Sequence, residues 1–282
     1  MVDNKILVNT HEVKNDTFVI GENEKALLES LFGSDFKKYA RVTMAALSAV
    51  PWVGSIIGAT ASLSSENDQE NVNKLLFFWV KEHEIKLQDL GNTLKDVFSR
   101  FEEFGESINE RIESIEYITL VRKTFSIWDH AETIEKKEML KKLITNAAGI
   151  SISQDDLVRM FLEWIDKYHE FHFAVIREIY NDPGITRFEI WDRIRGSLPR
   201  DNSAEAHLFK LLISDLNLGE VIHQLKYTDS DGHYIKNRPQ KKNPSGKLQS
   251  AFEDTKPYVL TPLGSEFVHY VMTDLSVQIE AK

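Results

Sequence analysis

The segment TLKDVFSRFEEFGESINERIESIEYI, residues 93–118, decides the fold class of this chain. Its apolar residues recur three and four positions apart, which is the spacing of one face of an α-helix. Before Gly105 that face carries Leu94, Val97, Phe98, Phe101 and Phe104, and after it Ile108, Ile112, Ile115 and Ile118. The pattern predicts two long amphipathic helices, joined at Gly105 as one kinked helix or as a hairpin.

Proline is absent on both sides of this segment, from residue 52 to residue 182, which is typical of helices and rare in loops. Upstream, we expect a helix capped by Ser34 that runs to Pro51. Downstream, one helix is predicted to end at Gly149, and another to begin near Ser153 and extend to Tyr180. The expected class is mainly α, with a long-helix bundle as its larger part.

After residue 181 the sequence pattern changes from long amphipathic segments to short helices and strands. Thr186 and Glu189 form a capping-box pattern, and Ser203 is placed to cap a helix with apolar positions at Leu208, Leu211, Leu212 and Leu216. Two strands are predicted at residues 221–222 and 258–260, followed by a helix over 261–272. The order helix, helix, strand, loop, strand, helix predicts a small winged-helix-like α+β domain.

These patterns divide the chain into four predicted parts. They are an extended N-terminal arm over 1–20, a helical bundle over 21–150 that contains an apolar small-residue segment at 42–65, a connecting helix over 151–180, and the winged-helix-like domain over 181–276 with a basic wing loop at 227–256.

Composition narrows the functional classes. The chain has no cysteine, so disulfides, zinc–thiolate sites and cysteine nucleophiles are excluded. The first twenty residues contain charges and no sustained apolar run, so we expect no signal peptide and a cytoplasmic protein. The net charge of −10 disfavours nucleic-acid binding over the whole surface, because phosphate neutralisation supplies most of that affinity.

Residues 42–65 are uncharged and long enough to span the ~30 Å core of a bilayer. Their serines, threonines and Pro51 dilute and interrupt the hydrophobicity. Gly54 and Gly58, four residues apart beside Trp52, are spaced for close helix packing in lipid or in protein. The segment is either a buried helix pair turned at Pro51 or a stored apolar hairpin, as in helical pore-forming proteins, that reaches a membrane on activation.

The sequence offers no catalytic set. Asp166, His169 and His172 could share part of a helix face, but the histidines lack the i and i+4 spacing of a metalloprotease motif, and partly exposed surface histidines are the alternative. Neither a phosphate-binding loop nor a nucleophile elbow occurs. We therefore expect no enzymatic activity, no cofactor and no metal.

One basic block lies in the predicted wing loop, and it consists of Lys236, Arg238, Lys241, Lys242 and Lys247. A basic wing can contact the phosphate backbone. The helix expected to enter the major groove, residues 203–217, has Lys210 as its only strong base and carries Glu205 and Asp215, which repel phosphate. The loop is either solvated, a protein-docking element or a site of sequence-independent nucleic-acid contact.

Two stretches resemble known families. Residues 258–264, YVLTPLG, followed by Phe267, are similar to the junction between the wing and the last helix of bacterial winged-helix domains. Residues 45–179 resemble poorly characterised bacterial helical proteins, through Val50-Pro51-Trp52-Val53-Gly54 and a turn at Glu135-Lys136-Lys137. Some of those proteins are associated with abortive infection or phage defence, so the resemblance implies an antiviral role.

Three functions follow as hypotheses. The first is a non-enzymatic defence or toxin-like effector whose stored apolar segment reaches a membrane or a partner after a trigger. The second is a helical, coiled-coil-like oligomeric scaffold or adaptor that uses the winged-helix domain for docking. The third is a winged-helix regulator that binds nucleic acid through the wing loop. A protein partner or a homo-oligomer is expected under the first two.

Overall fold

The computed structural model describes residues 35–53, 69–149, 155–225 and 251–272. These parts are mainly helical and contain one small three-stranded sheet, which confirms the predicted mainly-α class. The predicted arm over 1–20, the glycines at 54 and 58 and the wing-loop residues 227–250 lie outside the described ranges.

The first part of the chain forms a bundle. Its helices are α1 (Asp35–Lys38), α2 (Ala40–Ala49), α3 (Gln69–Phe104), α4 (Asn109–Ile112), α5 (Ile115–His130), α6 (Ile134–Gly149), α7 (Asp155–Lys167) and α8 (Glu170–Asn181), with a 3₁₀ turn at Gly105–Ile108. Helix α5 is central, since it packs against α2, α6 and α7.

The remaining elements form the C-terminal unit. They are β1 (Ile185–Thr186), α9 (Arg187–Arg195), α10 (Ala204–Leu218), β2 (Ile222–Gln224), β3 (Pro257–Leu260) and α11 (Pro262–Val271). Strand β3 lies between the other two and pairs antiparallel with both, with Ile185 opposite Tyr258 and Ile222 opposite Leu260. The elements therefore follow the order read from the sequence, with the short strand β1 added before α9.

The apolar stripe around Gly105 is confirmed up to that glycine and needs correction after it. Helix α3 ends at Phe104, and Gly105 turns the chain with φ +67, a value that favours glycine. The predicted second long helix is two helices, because Ser114 caps α5 by accepting the backbone N–H of Tyr117 at 3.2 Å. Ile115 is thus the first residue of α5, and 71 % of it is exposed instead of buried.

The predicted single helix over 153–180 is also wrong, because α7 and α8 are separated at Tyr168 and His169. The backbone N–H of His169 donates to Nδ1 of His172 at 3.1 Å, which satisfies one of the free groups at the start of α8. Asp166 and His169 therefore lie on opposite sides of a helix boundary and do not share one helix face.

The predicted turn at residues 135–137 is likewise wrong, since these residues form the first turn of α6. Their charges join α6 to neighbouring helices. Glu135 accepts from Arg177 at 2.5 Å, and Lys137 donates to Asp89 at 2.5 Å while its Nζ lies 4.3 Å from the centre of the Trp128 ring. The acid–lysine pattern thus marks helix packing in the bundle.

Aromatic side chains join the bundle to the C-terminal unit. The ring of Phe267 in α11 lies 5.4 Å from that of Phe161 and 5.3 Å from that of Trp164, both in α7, and 6.4 Å from that of Phe173 in α8. The side-chain amide of Asn146 donates to the carbonyl of Tyr270 at 2.7 Å. One continuous hydrophobic core therefore extends from α2 to α11.

Candidate functional site

The outer face of α10 carries exposed leucines, which is an unusual feature for a helix that also has a full buried face. The exposed fractions are 50 % for Leu208, 56 % for Leu211 and 77 % for Leu218. These positions are three and seven residues apart, so they align along one side of the helix. We call this set the leucine stripe.

The opposite face of α10 fixes the helix in the core. It buries Ala206, Phe209, Leu212, Ile213 and Leu216. Ser203 begins the helix as predicted by accepting the backbone N–H of Ala206 at 3.1 Å. The ring of Phe209 lies 5.2 Å from that of Trp191, so α9 and α10 hold each other in place. The leucine stripe is thus presented by a rigid element.

A cavity of about 210 Å³ adjoins the stripe where α8, α9 and α10 meet. It is lined by Phe171, Trp191, Arg195, Ser197, Glu205 and Leu208, and we call it the α10 pocket. The Trp191 indole N–H donates to the carbonyl of Ser197 at 2.9 Å, and its ring is buried against Phe209 and Phe252. Leu208 belongs to both the stripe and the pocket, so the two form one continuous surface.

Few positive charges accompany the leucine stripe. Glu205 is exposed one turn before Leu208, Lys210 is half-buried, and Asp215 is partly buried with its carboxylate turned toward His172 of α8. A face with leucines and a carboxylate suits protein better than phosphate, which requires cations.

Behind α10, His172 connects this helix to α8. Its side chain is buried, its Nε2 lies 3.9 Å from Oδ2 of Asp215, and that nitrogen makes no hydrogen bond to any described residue. Burial lowers the pKa of His172 to about 4, against an opposing effect of Asp215. Burial also raises the pKa of Tyr168, whose ring stacks on His172, to about 12. His172 is therefore neutral at pH 7.

The described half of the predicted apolar segment is packed in the bundle. Val42, Val50 and Val53 are buried, and Pro51 is exposed at the start of a helical stretch. Trp52 is half-buried: its indole N–H donates to Oδ1 of Asp129 at 2.5 Å, and its ring stacks on His83 at 5.3 Å. The segment up to residue 53 is thus held against α3 and α5.

The remaining predicted contact residues lie beyond what the structure describes. Gly54 and Gly58 follow the last described residue of the apolar segment, and Lys236, Arg238, Lys241, Lys242 and Lys247 fall within 226–250. Their roles stay predictions.

The predicted histidine pair is separated by the start of α8. His169 lines a polar cleft of about 320 Å³ with His130, Glu132, Lys136, Asp166 and Glu170, whereas His172 is in the core. Lys136 donates to the carbonyl of Asp166 at 3.0 Å across this cleft. Within the four described ranges, no group of three or more histidine, aspartate or glutamate residues could hold a metal ion.

Sequence reasoning missed the leucine stripe although it named two of its members. Leu208, Leu211, Leu212 and Leu216 were named together as the apolar positions of this helix, yet the structure exposes the first two and buries the others. The signal that could have revealed the stripe is the number of apolar residues in α10, which is larger than one buried helix face accommodates.

Comparison with protein-family models, with curated proteins and with solved structures found no match to this chain. In the described ranges, no helix combines the length and the apolar character that crossing a membrane requires.

Proposed function

We propose that this chain is a non-enzymatic, cytoplasmic helical adaptor whose C-terminal unit docks on a protein partner through the leucine stripe of α10. The observation that carries the proposal is the exposure of Leu208, Leu211 and Leu218 on a helix that is already anchored by a separate buried face. Exposed apolar residues that cluster on a rigid element mark interaction sites in soluble proteins.

The order α8, β1, α9, α10, β2, β3 and α11, with β3 between the other two strands, supports a winged helix-turn-helix unit. In such a unit the second helix of the helix-turn-helix is the one presented to the ligand. On this proposal α10 is that second helix, and the leucine stripe lies where a DNA-binding winged helix carries its base-reading side chains.

The chemistry of α10 favours protein over duplex DNA. A recognition helix needs donors and cations for base edges and phosphates. The exposed side of α10 offers leucines, Glu205 and the polar residues His207, Ser214 and Asn217, and its one strong base, Lys210, is half-buried. The five basic residues of the wing loop could add only sequence-independent contact with the phosphate backbone. Nucleic-acid regulation is therefore the weaker proposal, and it predicts binding that salt and neutralisation of Lys236, Arg238, Lys241 and Lys242 abolish.

The expected partner is an amphipathic helix with basic residues beside its apolar face. Leu208 and Leu218 are ten residues apart, so the stripe is about 15 Å long at 1.5 Å per residue, or about three helical turns. Burying the exposed remainder of each leucine would contribute about 1 kcal/mol before the costs of association. A basic flank would complement Glu205.

The proposal is tested by placing a photo-crosslinking residue at Ser214, which is exposed on α10, in the native cell and then measuring the affinity of the captured protein. We expect Leu211→Glu to weaken binding at least about ten-fold, since truncation of a central apolar contact commonly has this effect. Ile134→Glu is the matched control, because Ile134 is 81 % exposed on a distant helix and should be neutral.

Two results would overturn the proposal. One is equal affinity of the wild type and Leu211→Glu for the captured protein. The other is tight binding to duplex DNA that disappears when the lysine and arginine residues of the wing loop are neutralised. Circular dichroism of both variants shows whether the fold is retained, and exposed positions of this kind usually change stability by less than about 0.5 kcal/mol.

The second candidate is the defence effector, in which residues 42–65 are a stored segment. It is favoured by the contacts of half-buried Trp52, whose indole N–H donates to Asp129 and whose ring stacks on His83. In this proposal the docking unit senses the trigger and the segment then reaches a membrane or a second partner. Asp129→Leu should increase dye leakage from anionic liposomes. The control is Asp156→Leu, which changes an exposed residue of α7, and equal leakage from the two variants contradicts the proposal.

A further inference from the structure

We infer that the partner of α10 inserts an aromatic or branched aliphatic side chain into the α10 pocket, and that an acidic and a basic residue flank this anchor. The inference rests on the proposed docking function and specifies the chemistry of the partner. It starts from the position of the pocket: Leu208 forms part of its lining and also begins the leucine stripe.

The walls of the pocket are suited to an apolar anchor. The accessible apolar lining consists of half-buried Phe171 and of Leu208, which closes the side toward α10. The ring of Trp191 lies buried behind them, 5.9 Å from that of Phe171. The indole N–H of Trp191 is already used by the carbonyl of Ser197, so the wall offers no unsatisfied donor that would call for a polar guest. Aromatic-lined pockets at the edge of an exposed apolar strip are where single anchor residues contribute most of the binding energy.

The rim of the pocket carries one charge of each sign. Arg195 ends α9 and Glu205 lies in the first turn of α10, and within the described residues neither makes an ion pair. The guanidinium of Arg195 lies 5.1 Å from the centre of the Phe171 ring, which positions it over the apolar wall. An acidic residue beside the anchor would pair with Arg195, and a basic residue would pair with Glu205.

The pocket also fixes the register of the partner. It lies beside Leu208, near the beginning of α10, whereas Leu218 ends that helix. A partner helix that covers the stripe therefore places its anchor at one end and its smaller apolar residues over the following three turns, about 15 Å. This register distinguishes the partner from an evenly apolar helix, which would gain nothing from the charged rim.

The inference can be tested without the partner, because the chain has no cysteine and a single introduced thiol is unique. Ser197→Cys places a thiol at the pocket, and Ser99→Cys, at an exposed position of α3, is the matched control. Each variant is equilibrated with excess mercaptoethanol and one of three disulfides, which carry a neutral benzyl group, a benzyl carboxylate or a benzylammonium. Intact-mass spectrometry then gives the labelled fraction.

We expect benzyl labelling of Ser197→Cys to exceed that of Ser99→Cys by about five-fold or more, as a gain of about 1 kcal/mol in contact energy implies. Adding Leu208→Asp should remove the excess. Arg195→Gln should lower capture of the carboxylate selectively, and Glu205→Gln capture of the ammonium, each by about two-fold or more.

Equal benzyl labelling of the two thiols would overturn the anchor pocket, and charge-independent labelling would overturn the role of the rim. Both results are distinct from failure of the proposed function. If Leu211→Glu abolishes partner binding while the disulfide-labelling experiment shows no excess labelling of Ser197→Cys, α10 docks through the stripe alone. If the excess labelling of Ser197→Cys is observed and Leu211→Glu does not change the affinity for the captured protein, the pocket exists without the proposed docking.

Discussion

Acidification should destabilise this protein through His172, the buried histidine between α8 and α10. Its side chain is 3 % exposed, and Nδ1 accepts the N–H of His169, so the neutral ring carries its proton on Nε2. Protonation would place a cation in the core. Asp215 at 3.9 Å favours that cation, whereas burial, His169 and Lys167 oppose it, and burial is the largest effect.

The magnitude follows from the two pKa values of His172. The pKa is 6.5 in the unfolded chain and about 4 in the folded protein, so the unfolded chain binds the proton more tightly. Stability from this group is complete above the unfolded pKa and is lost as the pH falls toward the folded pKa. At 1.36 kcal/mol per unit, the loss relative to pH 7.5 is about 2 kcal/mol at pH 5 and about 3 kcal/mol at pH 4.

The assay is urea denaturation of the wild type and His172→Gln at pH 7.5, 5 and 4. The glutamine side-chain oxygen can accept the N–H of His169 without titrating, so the variant keeps the start of α8 and removes the proton. Subtracting the two free energies of unfolding cancels the carboxylates that also titrate, among them Glu102 and Glu189, whose pKa values are lowered by hydrogen bonds.

We expect the difference, wild type minus variant, to fall by about 3 kcal/mol between pH 7.5 and pH 4. His223→Gln, which changes an exposed histidine of β2, is the control and should follow the wild type. A difference that stays constant with pH, or that grows as the pH falls, would refute the assignment of a buried neutral imidazole at this position.

Further substitutions test the packing of the C-terminal unit and the bundle. Gly264→Ala should cost about 2–3 kcal/mol in urea denaturation, since the new Cβ would lie 2.1 Å from the backbone carbonyl oxygen of Val221. Thr186→Ala should lower the free energy of unfolding by about 1 kcal/mol by removing the cap of α9, as measured by thermal denaturation. Tyr117→Phe should cost about 1 kcal/mol in urea, since the buried hydroxyl donates to the carbonyl of Ile144 at 2.8 Å.

Each of these substitutions has a matched control. Gly196→Ala meets open space at φ +79 and should show only the backbone cost of about 1 kcal/mol. Thr119→Ala removes an exposed mid-helix threonine, and Tyr180→Phe changes a half-buried tyrosine. If a control loses as much stability as its partner substitution, the loss comes from the residue type and not from the contact named.

Local helix signals in the sequence predicted the ends of several elements correctly. Thr186 and Ser203 cap α9 and α10, and α6 ends at Gly149, because a cap depends on side chains within three or four residues of the helix end. The order of elements in the C-terminal unit followed from these boundaries. Propensity and capping act over short distances, so they can be read from one sequence.

The break between α7 and α8 could not be predicted in this way. No glycine or proline marks it, and apolar residues continue through Tyr168 at helical spacing. The boundary depends on the ring of His172 accepting the N–H of His169, a role that glutamate or glutamine usually fills in a capping box. A histidine at that position does not predict a helix start.

The leucine stripe was equally beyond a single sequence. Helix α10 has apolar residues on two faces, and periodicity alone cannot say which face meets the core. The choice is made by long-range packing, since Phe209 contacts Trp191 and Phe252. The leucine stripe could not be recognised from the sequence, because leucines also make up much of the core.

The position of Phe267 bears on how the protein is degraded after proteolytic cleavage in a cell. Its ring contacts both α7 and α8, so proteolytic removal of α11 would uncover Phe161, Trp164 and Phe173 together. Exposed aromatic clusters are what chaperones and proteases select. We expect molecules cleaved before α11 to be degraded, so that only chains that retain this helix persist.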